Sequence, residues 1–322
     1  MIFGKKVEEI FRRTLYVRHD ETGLTYYFSY DEFPGLKQTP YDIESPLGHT
    51  LKGYIYTYGN HDPNRLIIFD HGMGVGHRAY MQEIVLLCKQ GYRVFTYDHT
   101  GCATSGGEHI HGFAQSLADL DVCLQALKAD PQFAGVKYAV MGHSWGGFST
   151  MNIVKYHPDI THVVAMSGFI SVEQIIRQTF SGILSLYRKQ ILRLEQEGKG
   201  SYALDDARES LGATTARVLL IHSSDDPVVK SAYHFDLLER ALKEQDNITF
   251  LRVEGKQHSP NYTLDAVAYK DAYFKTLGQV TKKRQFADEA ARHAFRDSYD
   301  WQRMTEQDMD VWEQIFAHLA TM

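Results

Sequence analysis

Three cysteines in 322 residues, Cys88, Cys102 and Cys123, are too few and too irregularly spaced for a disulfide framework. An odd number with no C-x-x-C pair suits a reducing compartment, so a cytoplasmic location is expected. Basic charge is also in short supply: 34 Lys and Arg stand against 40 Asp and Glu, a net charge of -6. That argues against a nucleic-acid partner. The densest basic run, Lys282-Lys283-Arg284, reads as a solvated helix face. No apolar run approaches the ~20 residues that a membrane helix needs, so stable membrane insertion is not expected. The first ten residues lack the apolar core of a signal peptide. Internal repeats and low-complexity stretches are missing too. What remains, 43% hydrophobic and 23% charged, suits a soluble globular protein.

What is present centres on residues 138–156. Tyr138 to Met141 is a short apolar run fit for a buried strand, and Phe148 to Tyr156 reads as a buried helix. Between them lies G-x-S-x-G, with Ser144 at its centre. A serine at a strand-to-helix corner is held in a strained backbone conformation that lifts its hydroxyl clear of the sheet. Gly142 and Gly146 are needed because side chains there would collide across so tight a turn. The helix that follows aims its N-terminal amides at the serine, where negative charge develops during acyl transfer. A chance Gly/Ser turn is the competing reading, and the surrounding sequence has to decide.

Gly142-His143-Ser144-Trp145-Gly146-Gly147 resembles the nucleophile elbow of the α/β-hydrolase superfamily. It is most similar to the esterase, monoacylglycerol-lipase and serine-aminopeptidase-like group, which usually carries G-H-S-x-G-G. The resemblance covers roughly Tyr41 to Pro260 plus the last helix. It implies an α/β fold: a mostly parallel central sheet flanked by helices, with a small helical cap.

Taken in order, residues 2–15 place Phe3, Val7, Ile10, Phe11 and Leu15 at helical spacing. Such a helix suits a membrane surface or the protein's own domain, and the second is expected. Tyr26 to Tyr30 and Leu51 to Tyr58 read as strands separated by a turn-prone stretch. Leu66 to Phe69 is a continuous apolar run, as in a parallel strand covered on both faces. It ends in Asp70-His71-Gly72-Met73-Gly74-Val75-Gly76, which lacks the G-K-[ST] and G-x-G-x-x-G of phosphate cradles. The H-G-x-G pattern instead resembles the hydrolase oxyanion loop, which implies backbone amides of Met73 and Trp145 as donors. His71 itself is expected to be a structural hydrogen-bonding residue.

The strand Tyr92 to Asp98 is followed by a loop that the family usually writes D-x-R-G-x-G-x-S-x-G. Here Thr100 replaces the Arg and Ala103 the second Gly, which leaves the fold expectation intact and weakens assignment to a subfamily. His109 and His111 have no nearby ligand set to complete a metal site, so no metal is expected and both are read as solvent-exposed. Arg78 to Lys89 and Leu117 to Leu127 read as helices, and His162 to Gly168, Arg217 to His222 and Ile248 to Val253 as further strands.

Residues 169–211 interrupt the strand-helix alternation with many large apolar side chains, among them Phe180 and Leu184. The resemblance implies a cap here, with Phe180 and Leu184 as substrate-binding candidates. A carboxylate at a strand's carboxyl end can orient a histidine in the same crevice. Asp225 and Asp226 are both candidates, and the family pattern, acid immediately before the proline, selects Asp226. His258 follows the last strand behind a flexible glycine loop and matches the general base. Ser144, Asp226 and His258 thus fall at strand ends in the hydrolase order.

The expected organisation is an N-terminal extension over 1–40, a hydrolase core over 41–168 and 212–322, and a cap over 169–211. An inserted stretch at 265–305 precedes the closing helix and suits a dimer surface or a side wall of the site. The expected activity is hydrolysis of a small-molecule carboxylic ester of small to medium acyl length through an acyl-enzyme, without cofactor. Peptide or amide cleavage is the rival enzymatic reading, and a catalytically silent binding protein the rival class. The sequence leaves oligomeric state open.

Overall fold

The structure, a computed structural model, describes residues 2–21, 23–197 and 199–322, with side chains from Lys6 onward. The Phe3 side chain of the expected helical pattern lies outside the described residues. Among the described residues ten strands form: β1 Leu36–Pro40, β2 Ile43–Glu44, β3 Thr50–Leu51, β4 Gly53–Tyr58, β5 Arg65–Asp70, β6 Arg93–Tyr97, β7 Lys137–His143, β8 His162–Met166, β9 Arg217–Ser223 and β10 Ile248–Val253. Eight of them make one sheet in the order β1-β4-β6-β5-β7-β8-β9-β10, while β2 and β3 form a separate ribbon. The pairings from β6 through β10 are parallel; β4 runs antiparallel to both β1 and β6.

The central strands are apolar on both faces because helices cover both. Leu66 and Ile68 of β5 join one core with Leu120 and Leu124 of α3 (Gln115–Ala129) and Phe148 of α4 (Trp145–Asn152). Ile67 and Phe69 point the other way. They pack with Ile84 and Leu87 of α2 (Met81–Lys89) and with Trp312 and Ile315 of Met309–Leu319, the closing helix. The pleat's period of two sorts one run of residues into two cores.

The first strand differs from the sequence expectation. Tyr26 to Ser29 form no strand, and β1 lies instead in the stretch read as turn-prone. Phe28 is buried beside Tyr26 and Phe33, and Tyr26 stacks on Trp301. Those aromatic side chains are spent on packing against the far end of the chain. β1 is an edge strand that pairs only with β4, which is why Pro40 is tolerated there. The eight-stranded sheet therefore begins inside the stretch expected to be an extension.

Among the described residues of 169–211 lie three short α-helices, Val172–Thr179, Arg188–Gln196 and Ala207–Gly212. The N-terminal helix α1 (Ile2–Leu15) lies against them: Arg12 pairs with Glu197 at 3.0 Å, and the Phe11 and Phe180 rings sit 5.9 Å apart. Residues 265–305 are mostly helical, with Leu264–Lys282, Glu289–Asp297 and Trp301–Met304. Their aromatic cluster around Tyr273 holds the N-terminal segment, whose Leu24 carbonyl accepts from the Tyr273 hydroxyl.

Candidate active site

The register of the sheet brings the chemistry-bearing loops to one rim. Asp70 pairs with Gly142 across β5 and β7, and Val253 with Ser223 across β10 and β9, so four strands end together. Ser144 follows β7 with φ 57° and ψ -110°, a conformation few non-glycine residues adopt. Its amide donates to the Met166 carbonyl at 2.8 Å, which pins the corner to β8. A Cβ on Gly142 would come within 2.4 Å of the Gly146 carbonyl, and one on Gly146 within 2.1 Å of Asp70's. Only glycine fits at either position.

The three sequence-selected side chains meet. The Ser144 hydroxyl lies 2.8 Å from His258 Nε2, and His258 Nδ1 donates to Asp226 Oδ2 at 2.7 Å. Asp226 is buried, and its other oxygen accepts from the amides of Val228 and Val229 at 2.8 and 2.9 Å. Burial, the largest single influence, opposes its charge, but the hydrogen bond and charge of His258, the Val229 amide and His222 together outweigh it and hold the carboxyl below its usual range. Asp225 turns outward, accepting from the Ser223 hydroxyl at 2.5 Å and the Gln257 amide at 3.2 Å. Adjacent residues diverge here as the sequence reading required. Met73 is half-buried on the loop after β5, and Trp145 is the first residue of α4.

The sequence reading did not anticipate the partners of the imidazoles around this triad. His143 is buried, its ring 4.8 Å from that of His258. Its Nε2 donates to the His258 carbonyl at 2.7 Å, and its Nδ1 accepts from the Tyr80 hydroxyl at 2.8 Å. Tyr80 in turn accepts from the Gly72 amide at 3.1 Å. One chain of hydrogen bonds thus ties the loop after β5 to the backbone of His258. Burial first, and the neighbouring His258 second, push the His143 pKa down to about 3, so it stays neutral. The signal for it was the His of G-H-S-x-G, but its partners are far away in sequence.

His71 is equally fixed: Nδ1 donates to the Gly72 carbonyl at 2.8 Å and Nε2 accepts from the His99 amide at 3.0 Å. The structural expectation for it agrees with this geometry. Beneath the rim, His99 lies 2.7 Å from Asp70 and 3.4 Å from Asp119, all three buried. Burial disfavours the imidazolium, yet the two carboxylates overcome that and raise the pKa to about 9. Thr100, standing where the family writes Arg, donates its amide and hydroxyl to Asp119, both at 2.8 Å.

His109 and His111 are half-buried, which corrects their reading as solvent-exposed. Their rings lie 4.0 Å apart, and His109 stacks on Tyr16 at the end of α1. Packing of the N-terminal segment across this loop is the cause, and sequence spacing carried no sign of it. Among the described residues no group of three or more His, Cys, Asp or Glu side chains is arranged to hold a metal ion. Phe180 is buried and Leu184 half in solvent. Both line an apolar cavity of about 360 Å³ with Val7, Phe11 and Leu15 of α1 and with Phe113. The Phe113 carbonyl accepts from the Trp145 indole at 2.6 Å, so this cavity starts one side chain from the elbow.

Residues 61–202 match the family model of the serine aminopeptidases (S33). An esterase of Pyrococcus furiosus superposes with a TM-score of 0.58 at 16% identity, over 80% of this chain and 96% of that one. A Butyrivibrio proteoclasticus protein solved with ferulic acid bound gives 0.56 at 17% identity, over 74% and 98%. A puromycin-hydrolysing peptidase of Mycobacterium tuberculosis gives 0.51 at 17%, over 69% and 36%. At such identities the likeness speaks for the fold. By that likeness the chain has the α/β-hydrolase fold, and the family match over 61–202 spans its elbow.

Proposed function

We propose that the protein is a serine hydrolase that cleaves small-molecule carboxylic esters. The observation that carries this reading is the unbroken line of hydrogen bonds Ser144–His258–Asp226, at 2.8 and 2.7 Å. His258 takes the Ser144 proton as the hydroxyl attacks the ester carbonyl. Asp226 holds the imidazole tautomer that leaves Nε2 free and stabilises the cation that forms. The amides of Met73 and Trp145 receive the oxyanion, each donor worth about 3 kcal/mol in the transition state. The imidazolium then protonates the departing alcohol, and water repeats the cycle on the acyl-enzyme. Residues 169–211 act as the cap: the apolar cavity beside Phe180 and Leu184 is suited to a small or medium acyl chain. A reducing, cytoplasmic setting fits the three unpaired, buried cysteines.

Peptide or amide cleavage is the second reading, favoured by the serine aminopeptidase model over 61–202. A panel of aryl esters of graded acyl length, run beside aminoacyl amides, separates the two. A fluorophosphonate probe is expected to label Ser144, and Ser144→Ala to lose both labelling and turnover. Activity retained in Ser144→Ala, with labelling elsewhere, would sink the mechanism; turnover of amides alone would replace the ester reading.

A further inference from the structure

The N-terminal helix α1 precedes the sheet, and the chemistry proposed for Ser144 gives it no task. Yet it supplies half of the residues that line the apolar cavity beside Phe180, namely Val7, Ile10, Phe11, Thr14 and Leu15. Among the described lining residues the polar side chains are two threonines. Both hydroxyls are spent inside their own helices, Thr14 on the Ile10 carbonyl at 2.8 Å and Thr179 on that of Ile175 at 2.9 Å. The lining side chains therefore offer a ligand hydrocarbon and no free hydrogen-bonding group.

One buried carboxylate fixes how α1 lies. Glu195, in the helix Arg188–Gln196, is fully buried. Its Oε1 accepts from the hydroxyl of Tyr16, just past α1, at 3.1 Å, and its Oε2 accepts from the Phe113 amide at 2.8 Å. Gly112 makes room for it, since a Cβ there would come within 2.6 Å of Oε2. Tyr16 and Phe113 thus meet at one group, and the Phe113 carbonyl holds the Trp145 indole. The Leu15 end of α1 is accordingly the end nearer the elbow. Val7 lies about 12 Å farther out along the helix, at 1.5 Å per residue.

We propose that α1 is a ruler for the acyl chain: on the hydrolase reading, the chain leaves Ser144 past Phe113 and runs along α1 from Leu15 toward Val7. Tyr16 and Glu195 are positioning residues that hold the ruler in place. Size sets the length. An apolar cavity of about 150 Å³ accommodates benzene, so one of about 360 Å³ has room for a straight chain of roughly eight to ten carbons. Chemistry sets the class. An unsubstituted acyl chain meets this wall without stranding a polar atom, whereas a hydroxylated or charged one would be buried there without partners.

The test titrates full-length Ser144→Ala protein calorimetrically with methyl esters of straight-chain acids of graded length, so that binding is read without turnover. Affinity is expected to rise about fourfold per added methylene and then to level off. Val7→Phe, in the same background, should bring the levelling-off to shorter chains, and Leu15→Phe to shorter ones still. Tyr16→Phe adds no bulk but frees α1 at its inner end. Affinity for the longest chains should then fall about fivefold, with that for the shortest unchanged. Affinity independent of chain length, a levelling-off that neither phenylalanine moves, or one that both move equally would each overturn the ruler. Turnover of the same esters by protein with Ser144 intact separates this from the hydrolase reading. Hydrolysis with an unmoved levelling-off sinks the ruler alone; a levelling-off that moves as expected, without hydrolysis, sinks the hydrolase reading and keeps α1 as the wall that measures the chain.

Discussion

The rim of the sheet and the segment 169–211 are built on opposite terms. At the rim three imidazoles are held through both ring nitrogens: His71 by Gly72 and His99, His143 by Tyr80 and His258, and His258 by Asp226 and Ser144. In 169–211 large apolar side chains are left in solvent, with Ile183 82% and Leu186 79% exposed. The rest of the segment is anchored, with Glu195 buried and accepting from the Phe113 amide at 2.8 Å, but around Ile183 the ties are internal: the Arg188 guanidinium reaches the carbonyls of Phe180 and Arg177 at 2.6 and 3.0 Å. Proton transfer needs groups fixed to a fraction of an ångström, whereas sorting acyl groups needs only apolar surface of about the right shape. If the proposed mechanism holds, damage at the rim should abolish the reaction and damage in 169–211 should redirect it.

The sharpest break of this contrast compares two neighbours on one loop. Asp226→Asn keeps the shape of the side chain but can donate where the carboxylate accepted, which favours the wrong His258 tautomer. Turnover of an aryl ester should fall on the order of 10⁴-fold. Asp225→Asn should lose far less, because that carboxylate faces outward and serves only Ser223 and Gln257. Steady-state kcat for both variants decides it, and the opposite ranking would move the acid by one residue.

A second test asks whether the rim's rigidity rests on the ion cluster beneath it. His99 has its folded pKa raised to about 9 from an ordinary 6.5. Its contribution to stability is therefore fully present below pH 6.5 and is lost as pH rises through 9. The span corresponds to something on the order of 3 kcal/mol. Denaturant unfolding across that window should show stability falling with pH, and His99→Gln should be less stable at pH 6.5 but flatter. Equal slopes for the two proteins would mean that the imidazole is neutral and the cluster is held by hydrogen bonds alone.

The two regions also differed in how far the sequence disclosed them. Strand ends are local facts: an apolar run, then a glycine or a carboxylate, fixed β5, β7, β9 and β10 and placed Ser144, Asp226 and His258 in reach of each other. Tyr80 and His99 carried no such mark, because their roles come from partners 63 residues away for Tyr80 and His143, and from Asp70 and Asp119 for His99. The misread strand at Tyr26–Tyr30 has the same origin. Alternating aromatics suit a pleat, but their burial here is supplied by Trp301 and its neighbours, nearly the whole chain away. The exposure of Ile183 and Leu186 was equally unreadable, since composition reports how much apolar surface exists and leaves open what covers it.

The smallest expected effect lies in that segment. Leu184 is 45% exposed and lines the apolar cavity, so trimming it to alanine removes contact surface without opening a hole in a packed core. Phe180 is 9% exposed and rests against Phe11, so Phe180→Ala enlarges the same cavity at some cost in stability. Contacts made beyond the reacting carbonyl change which esters are accepted and leave the proton transfers alone. Losing one or two methylenes' worth of contact shifts discrimination by about 1–3 kcal/mol. Both variants should then reorder the acyl-length panel, with Leu184→Ala doing so at unchanged melting temperature and both keeping fluorophosphonate labelling at Ser144. Should the ranking of esters survive in Leu184→Ala while only Phe180→Ala loses stability, the segment is ordinary packing for α1, and acyl selection lies elsewhere on the rim.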